Sequence, residues 1–208
     1  MMRDNLMIGV LAFGSLIKDP GSELSATEIK RIHVTTPFNV EFGRYSRSRS
    51  GAPTLVPVIK GGAPVKAQIL VLDSQLSLSQ VADMLWRRET HQVCSGKKYR
   101  HRRSRNAVRV REIKGLKSID NVLFTDFYAT SKIRTPKPEN LARLAISSAK
   151  SRNDGKDGIT YLIDAKQSGI YTPLIDQYEK EILRFTNTAS LRVALERVQK
   201  EMTDPIDS

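Results

Sequence analysis

Phe13-Gly14-Ser15-Leu16 closes the apolar run from Leu6 to Ala12. A buried strand that runs into a Gly-Ser turn presents backbone N–H groups at its carboxyl end. Such groups hold a carboxylate or phosphate without any charged side chain; the same pattern also serves as ordinary turn chemistry. Glu89 is the second candidate. Leu78, Val81, Ala82, Leu85 and Trp86 recur at helical spacing, and Glu89 lies four residues after Leu85, on or beside that apolar face. A carboxylate there is a candidate proton carrier, set against the common case of an exposed acid at a helix end. Ser15 follows Gly14 but lacks the second Gly of a hydrolase nucleophile elbow, and no His with a partner acid accompanies it. His91 and Cys94 have a spacing that lets two helical side chains touch, but Ser95-Gly96 ends the helix, so the thiol reads as incidental. Two ligands without further partners make no metal site, and none is expected.

The basic runs are the remaining candidates. Lys97-Lys98-Tyr99-Arg100-His101-Arg102-Arg103-Ser104-Arg105 is the densest, and Arg44 to Arg49 is the second. Arg and Lys beside Tyr can hold phosphates and stack a base. No helix-turn-helix, zinc-finger or ribonucleoprotein signature goes with them, so nucleic-acid binding is possible but not favoured. A solvated loop and a ring of arginines around an acidic small molecule are the competing readings.

The elements that must position these residues are legible in part. The first strand covers about Leu6–Phe13, and Ile32–Val40 reads as a second. Thr54–Ile59 and Val65–Leu72 read as a hairpin around Lys60-Gly61-Gly62-Ala63-Pro64, with Pro57 placing its strand at an edge or bulge. Ser77 or Ser79 caps the helix that carries Glu89. Val122–Ala129 is a further strand, and Pro138–Lys150 a helix with Leu141, Leu144, Ala145 and Ser148 inward. The apolar run Ile159–Ile163 reads as a strand, Thr172-Pro173 as a helix start with Thr172 as N-cap, and Leu191, Leu195, Val198 and Met202 as the stripe of a last helix.

Composition sets bounds. The 208 residues fit one domain with a helical tail, and 39% hydrophobic residues suffice for a packed core. The net charge of +12 favours acidic partners but sets no fold. One cysteine excludes an internal disulfide framework. Met1 to Ile17 superficially resembles a secretion signal, but Asp4 sits in its would-be basic region and no cleavage site follows. The run is shorter than the ~20 residues of a membrane helix. A cytoplasmic protein without membrane partners is expected.

Phe13-Gly14-Ser15-Leu16, Glu89 within Trp86-Arg87-Arg88-Glu89-Thr90, Asp157-Gly158-Ile159-Thr160-Tyr161-Leu162 and Thr172-Pro173-Leu174 occur in a telling order. Together with Ser48-Arg49-Ser50-Gly51-Ala52-Pro53-Thr54 they resemble the gamma-glutamyl cyclotransferase-like family over roughly residues 6–185. The resemblance implies an α+β fold: a small mixed β-barrel with flanking helices at 1–185, followed by a helical C-terminal extension at 186–208. It implies a small-molecule γ-glutamyl substrate, release of 5-oxoproline by intramolecular attack, and no metal or organic cofactor. Glu89 is the implied catalytic acid/base; Phe13, Gly14, Ser15, Leu16, Arg49 and Tyr161 are the implied substrate-binding residues. Phe13 stands where many members have Tyr. The rival readings are a non-enzymatic binder of an acidic metabolite and a nucleic-acid accessory protein using Arg100, Arg102, Arg103 and Arg105. Neither the leaving group nor the oligomeric state is legible.

Overall fold

The computed structural model describes residues 6–102, 104, 107–128, 133, 135–151 and 154–203. The expectations placed on Arg103, Arg105, Ala129 and the end of the tail at 204–208 lie outside the described residues, as does the side chain of Met202. The strands are β1 (Ile8–Ala12), β2 (Glu28–Thr35), β3 (Asn39–Ser46), β4 (Ala52–Val58), β5 (Lys66–Leu72), β6 (Val108–Leu116) and β7 (Ile119–Phe127). The helices are α1 (Ser15–Lys18), α2 (Ser22–Ser25), α3 (Leu78–Glu89), α4 (Pro138–Lys150), α5 (Gly158–Gln167), α6 (Ile175–Thr186) and α7 (Leu191–Thr203). The chain divides into two compact units: residues 1–36 with 66–131, and residues 37–65 with 132–208.

The first unit is built on a five-stranded sheet in the order β2-β5-β1-β7-β6. β1 lies between an antiparallel β5 and a parallel β7, with Val10 opposite Leu70 and Leu123. All five residues of β1 are buried, which is why it reads as an unbroken apolar run. Val81, Met84 and Leu85 of α3 pack on Ile8, Val10, Ala12, Leu70, Leu72 and Leu123. Each such side chain contributes about 1.5–3 kcal/mol on burial. Of the two caps the sequence offers, Ser77 and Ser79, it is Ser77 that caps α3: its hydroxyl accepts from the Gln80 N–H while the Gln80 side chain accepts from the Ser77 N–H.

The second unit pairs β3 with β4 and carries α4 to α7. α4 packs against α5, α6, α7 and β4, through Leu141, Ala142, Ala145 and Ala149 on its buried face. A Cβ at Gly158 would lie 2.7 Å from the Ala145 Cα and 3.0 Å from the Ala52 Cβ. Only glycine lets the start of α5 approach α4 and β4 this closely.

Several expectations are corrected. No closed barrel forms among the described residues; the sheet is open and mixed. Ile32–Val40 is not one strand, because it breaks between Thr35 and Asn39 at Pro37, which has no N–H to donate. The hairpin of Thr54–Ile59 with Val65–Leu72 does not form. β5 pairs with both β1 and β2, which occupies its two edges, and β4 pairs with β3. Ile159–Ile163 lies in α5, whose N-terminus Asp157 caps by accepting from the Ile159 and Thr160 N–H groups, both at 2.8 Å. α6 begins at Ile175, and Thr172 is not its cap. β6 has no counterpart among the strands expected from sequence. Its alternation, Val108-Arg109-Val110-Arg111, is hidden in a basic run, and it joins β7 through Lys117 and Ser118 at φ 53° and 62°.

Candidate functional site

In the first unit, Gly14 turns the chain from β1 into α1 with φ 62° and ψ −137°, a conformation open to glycine and costly for other residues. Ser15 and Leu16 therefore open α1, where first-turn N–H groups have no intrahelical acceptor. The Leu16 side chain is buried in the core and pins the turn, while Phe13 and Ser15 are half-buried.

Glu89 is the last residue of α3, and its side chain is 19% exposed. Its Oε1 accepts from Arg88 Nη1 at 2.8 Å. The same guanidinium donates from Nε and Nη2 to the Asp19 carbonyl at 2.9 and 2.6 Å, and from Nη2 to Ser15 Oγ at 3.4 Å. One cation thus ties the candidate carboxylate to the Gly14-Ser15 turn. Sequence reasoning names Arg88 within the motif around Glu89 but gives it no role; one arginine in a basic helix end carries no signal of what it will meet.

Arg87 organises the segment after α3. Its Nε reaches both Glu23 oxygens at 3.0 and 2.9 Å, its Nη2 reaches Oε1 at 2.6 Å, and its Nη1 donates to the Lys97 carbonyl at 2.7 Å. The Cys94 N–H donates to Glu23 Oε2 at 3.0 Å. The hydrogen bonds from Arg87 hold the Glu23 carboxyl below its ordinary pKa; burial opposes them, and the Cys94 N–H and the Arg87 charge assist. This anchor fixes a segment in which His91 and Cys94 both take left-handed conformations, at φ 55° and 60°. Both residues are exposed, and the Cys94 sulfur lies 3.6 Å from Ser22 Oγ. Among the described residues no three His, Cys, Asp or Glu side chains are grouped to hold a metal ion.

Arg49 and Tyr161 lie in the second unit. The Arg49 guanidinium sits 4.7 Å above the Tyr161 ring, and the Arg49 carbonyl accepts from Ser148 Oγ at 2.6 Å. Tyr161 is buried in α5, and its hydroxyl oxygen accepts from the Leu55 N–H at 3.3 Å. Sequence reasoning missed a buried acid in this unit. Glu41 is 3% exposed; its Oε1 accepts from Thr172 Oγ1 at 2.6 Å and the Phe42 N–H at 2.9 Å, and its Oε2 from the Leu174 N–H at 3.3 Å. Burial pushes its pKa up against these bonds. The signal was available: a lone carboxylate between Val40 and Phe42 in an apolar strand. Here Thr172 tethers a buried acid instead of capping a helix. The Tyr178 hydroxyl is buried with no hydrogen-bond partner among the described residues. Burial first, then the Asp157 carboxylate, disfavours its ionisation.

The structure thus brings the Gly14-Ser15 turn together with Glu89, and Arg49 together with Tyr161. In the first group the carboxylate and the turn meet through the Arg88 guanidinium, at Glu89 Oε1 and Ser15 Oγ.

No known family's sequence profile matches the chain, and no curated protein matches it in sequence. In structure it is similar to a yeast protein described as a gamma-glutamyl cyclotransferase specific to glutathione, with a TM-score of 0.52 and 11% identity. The match covers 86% of this chain and 99% of the yeast protein. The fold shared is a mixed α+β one with a mixed sheet and flanking helices; at that identity the likeness is one of fold.

Proposed function

We propose that the chain is a γ-glutamyl cyclotransferase-like enzyme with Glu89 as its acid/base. The observation that carries this reading is the tie between Glu89 and the Gly14-Ser15 turn through Arg88, within a fold similar to that of a cyclotransferase. The substrate supplies its own nucleophile. Glu89 takes a proton from the α-ammonium, and the freed amine attacks the γ-carbonyl. A new C–N bond closes the five-membered ring as a tetrahedral adduct, and the ring nitrogen releases its second proton to water. The bond to the leaving nitrogen then breaks as Glu89 returns the proton to it. The products are 5-oxoproline and an amine or amino acid.

Proximity accounts for much of the acceleration, so no Ser or Cys attacker is required. The N–H groups of Ser15 and Leu16 orient the acyl half of the substrate by donating to its negative oxygen. Arg49 and Tyr161 enter the reading through the sequence resemblance.

The test is release of 5-oxoproline from glutathione, a γ-glutamyl amino acid and a γ-glutamylamine, with Glu89→Gln measured alongside. Loss of positioned acid–base catalysis lowers kcat by about 10²–10⁴-fold. No release from any of the three by the unaltered chain refutes the enzyme reading. Saturable binding of one of them without turnover supports a metabolite binder instead.

A further inference from the structure

The cyclotransferase reading leaves the charge of this chain unused. Between Lys97 and Lys117 there are ten Lys and Arg and a single acid, Glu112, which accounts for most of the net +12. Two of these cations, Arg103 and Arg105, lie outside the described residues.

Lys97, Lys98, Arg100 and Arg102 are exposed, and none makes an ion pair among the described residues. Arg109 and Arg111 share one carboxylate, Asp126, at 2.8 and 3.5 Å. Among the described residues the excess is therefore not neutralised within the first unit.

The strip is also held in place, unlike a solvated loop. The Tyr99 N–H donates to Asp83 Oδ1 at 2.6 Å, the Tyr99 hydroxyl accepts from the Val110 N–H at 3.2 Å, and the Lys97 carbonyl is held by Arg87. Lys97, Lys98 and Arg100 thus lie on or beside a backbone tied down at Lys97 and Tyr99, which lowers the entropy cost of binding. An aromatic row adjoins them. The Tyr128 ring carries the Arg109 guanidinium at 4.5 Å, and its hydroxyl lies 3.3 Å from His101 Nε2. Cations beside aromatic rings that bases can contact are the elements of single-strand binding. A lipid surface fits less well: among the described residues no large hydrophobic side chain is exposed between 97 and 128, and interfacial binders insert such side chains.

We infer that the strip formed by Lys97, Lys98, Arg100 and Arg102, with His101 and Tyr128 beside it, is a docking surface for single-stranded nucleic acid. The cations neutralise phosphates and Tyr128 offers a ring edge to a base.

The test is fluorescence anisotropy of the full chain with a labelled mixed-sequence single-stranded 20-mer. With four phosphates neutralised at a slope of about −0.7 each, affinity falls roughly 50-fold between 50 and 200 mM salt. The triple substitution Lys98→Ala, Arg100→Ala, Arg102→Ala weakens binding at 50 mM at least tenfold and flattens that slope by about 2. Its Trp86 fluorescence and circular dichroism stay those of the unaltered chain. The charge-matched control, Lys156→Ala, Lys180→Ala, Arg192→Ala, keeps full affinity. The proposal is overturned by no binding at 50 mM salt, by equal loss in the control, or by full binding in the triple variant. Displacement by polyglutamate as effective as by unlabelled 20-mer overturns it in favour of an acidic protein partner. A duplex that binds more tightly than the single strand removes the role given to Tyr128.

Discussion

Arg87→Met is the sharpest test of how the first unit holds its candidate site. The Arg87 side chain is 10% exposed and the Glu23 side chain 20%. Met keeps the volume of the stem but removes every hydrogen bond from the guanidinium to Glu23 and to the Lys97 carbonyl. Glu23 then retains the Cys94 N–H and whatever water reaches it. Breaking a fully buried ion pair costs about 3–5 kcal/mol. Glu23 keeps some solvent, so roughly 2–3 kcal/mol is expected here. For a chain of this size that lowers Tm by about 4–12 °C. Trp86 is the only tryptophan and lies on α3 next to Arg87, so its fluorescence reports this unit's unfolding. The effect also has a pH signature. The folded pKa of Glu23 lies below its ordinary 4.5, so the pair's contribution is fully present above pH 4.5 and is lost as pH falls through the folded value. The gap between Arg87→Met and the unaltered chain therefore holds at neutral pH and closes in acid. A Tm within 1 °C of the unaltered chain at pH 7, or a gap that does not change with pH, would refute the reasoning.

Arg88→Met releases Glu89 from the Ser15 turn and is expected to lower kcat/KM for 5-oxoproline release about 10–100-fold, chiefly in kcat; unchanged kinetics would separate the turn from the chemistry. Gly158→Ala places a methyl 2.7 Å from the Ala145 Cα and is expected to lower the urea unfolding free energy by about 1–3 kcal/mol. Glu41 carries the opposite pH sign to Glu23. Its folded pKa is raised, so the cost of burying its charge is full above that value and disappears as pH falls toward 4.5. Urea titrations from pH 7 to pH 4.5 should show the unaltered chain gaining stability relative to Glu41→Gln, and a gain of equal size in both proteins would remove Glu41 as its source.

Much of this protein was written locally. The Ser77–Gln80 capping box and the periodic stripe behind it specify α3, and Pro138 opens α4 at the expected residue. Both depend on residues within one or two turns of each other, so the sequence determines them alone. The Gly14-Ser15 turn and the place of Glu89 on α3 were legible for the same reason: both rest on residues close to one another in sequence. Strand partners were not legible. β4 offers the same donors and acceptors to β5 as to β3, and the choice fell to β3 once β1 and β2 had taken both edges of β5. The run Ile159–Ile163 suits strand or helix equally, and the Asp157 cap with the close fit of Gly158 on Ala145 decided for helix. The ion pairs were out of reach altogether. Arg87 meets Glu23 across 64 positions and Arg88 meets Ser15 across 73. Nothing in the local sequence tells two adjacent arginines apart. Helix α3, packed on the sheet, aims one at an acid of α2 and the other at the turn after β1, and so makes the first an anchor and the second the link to Glu89.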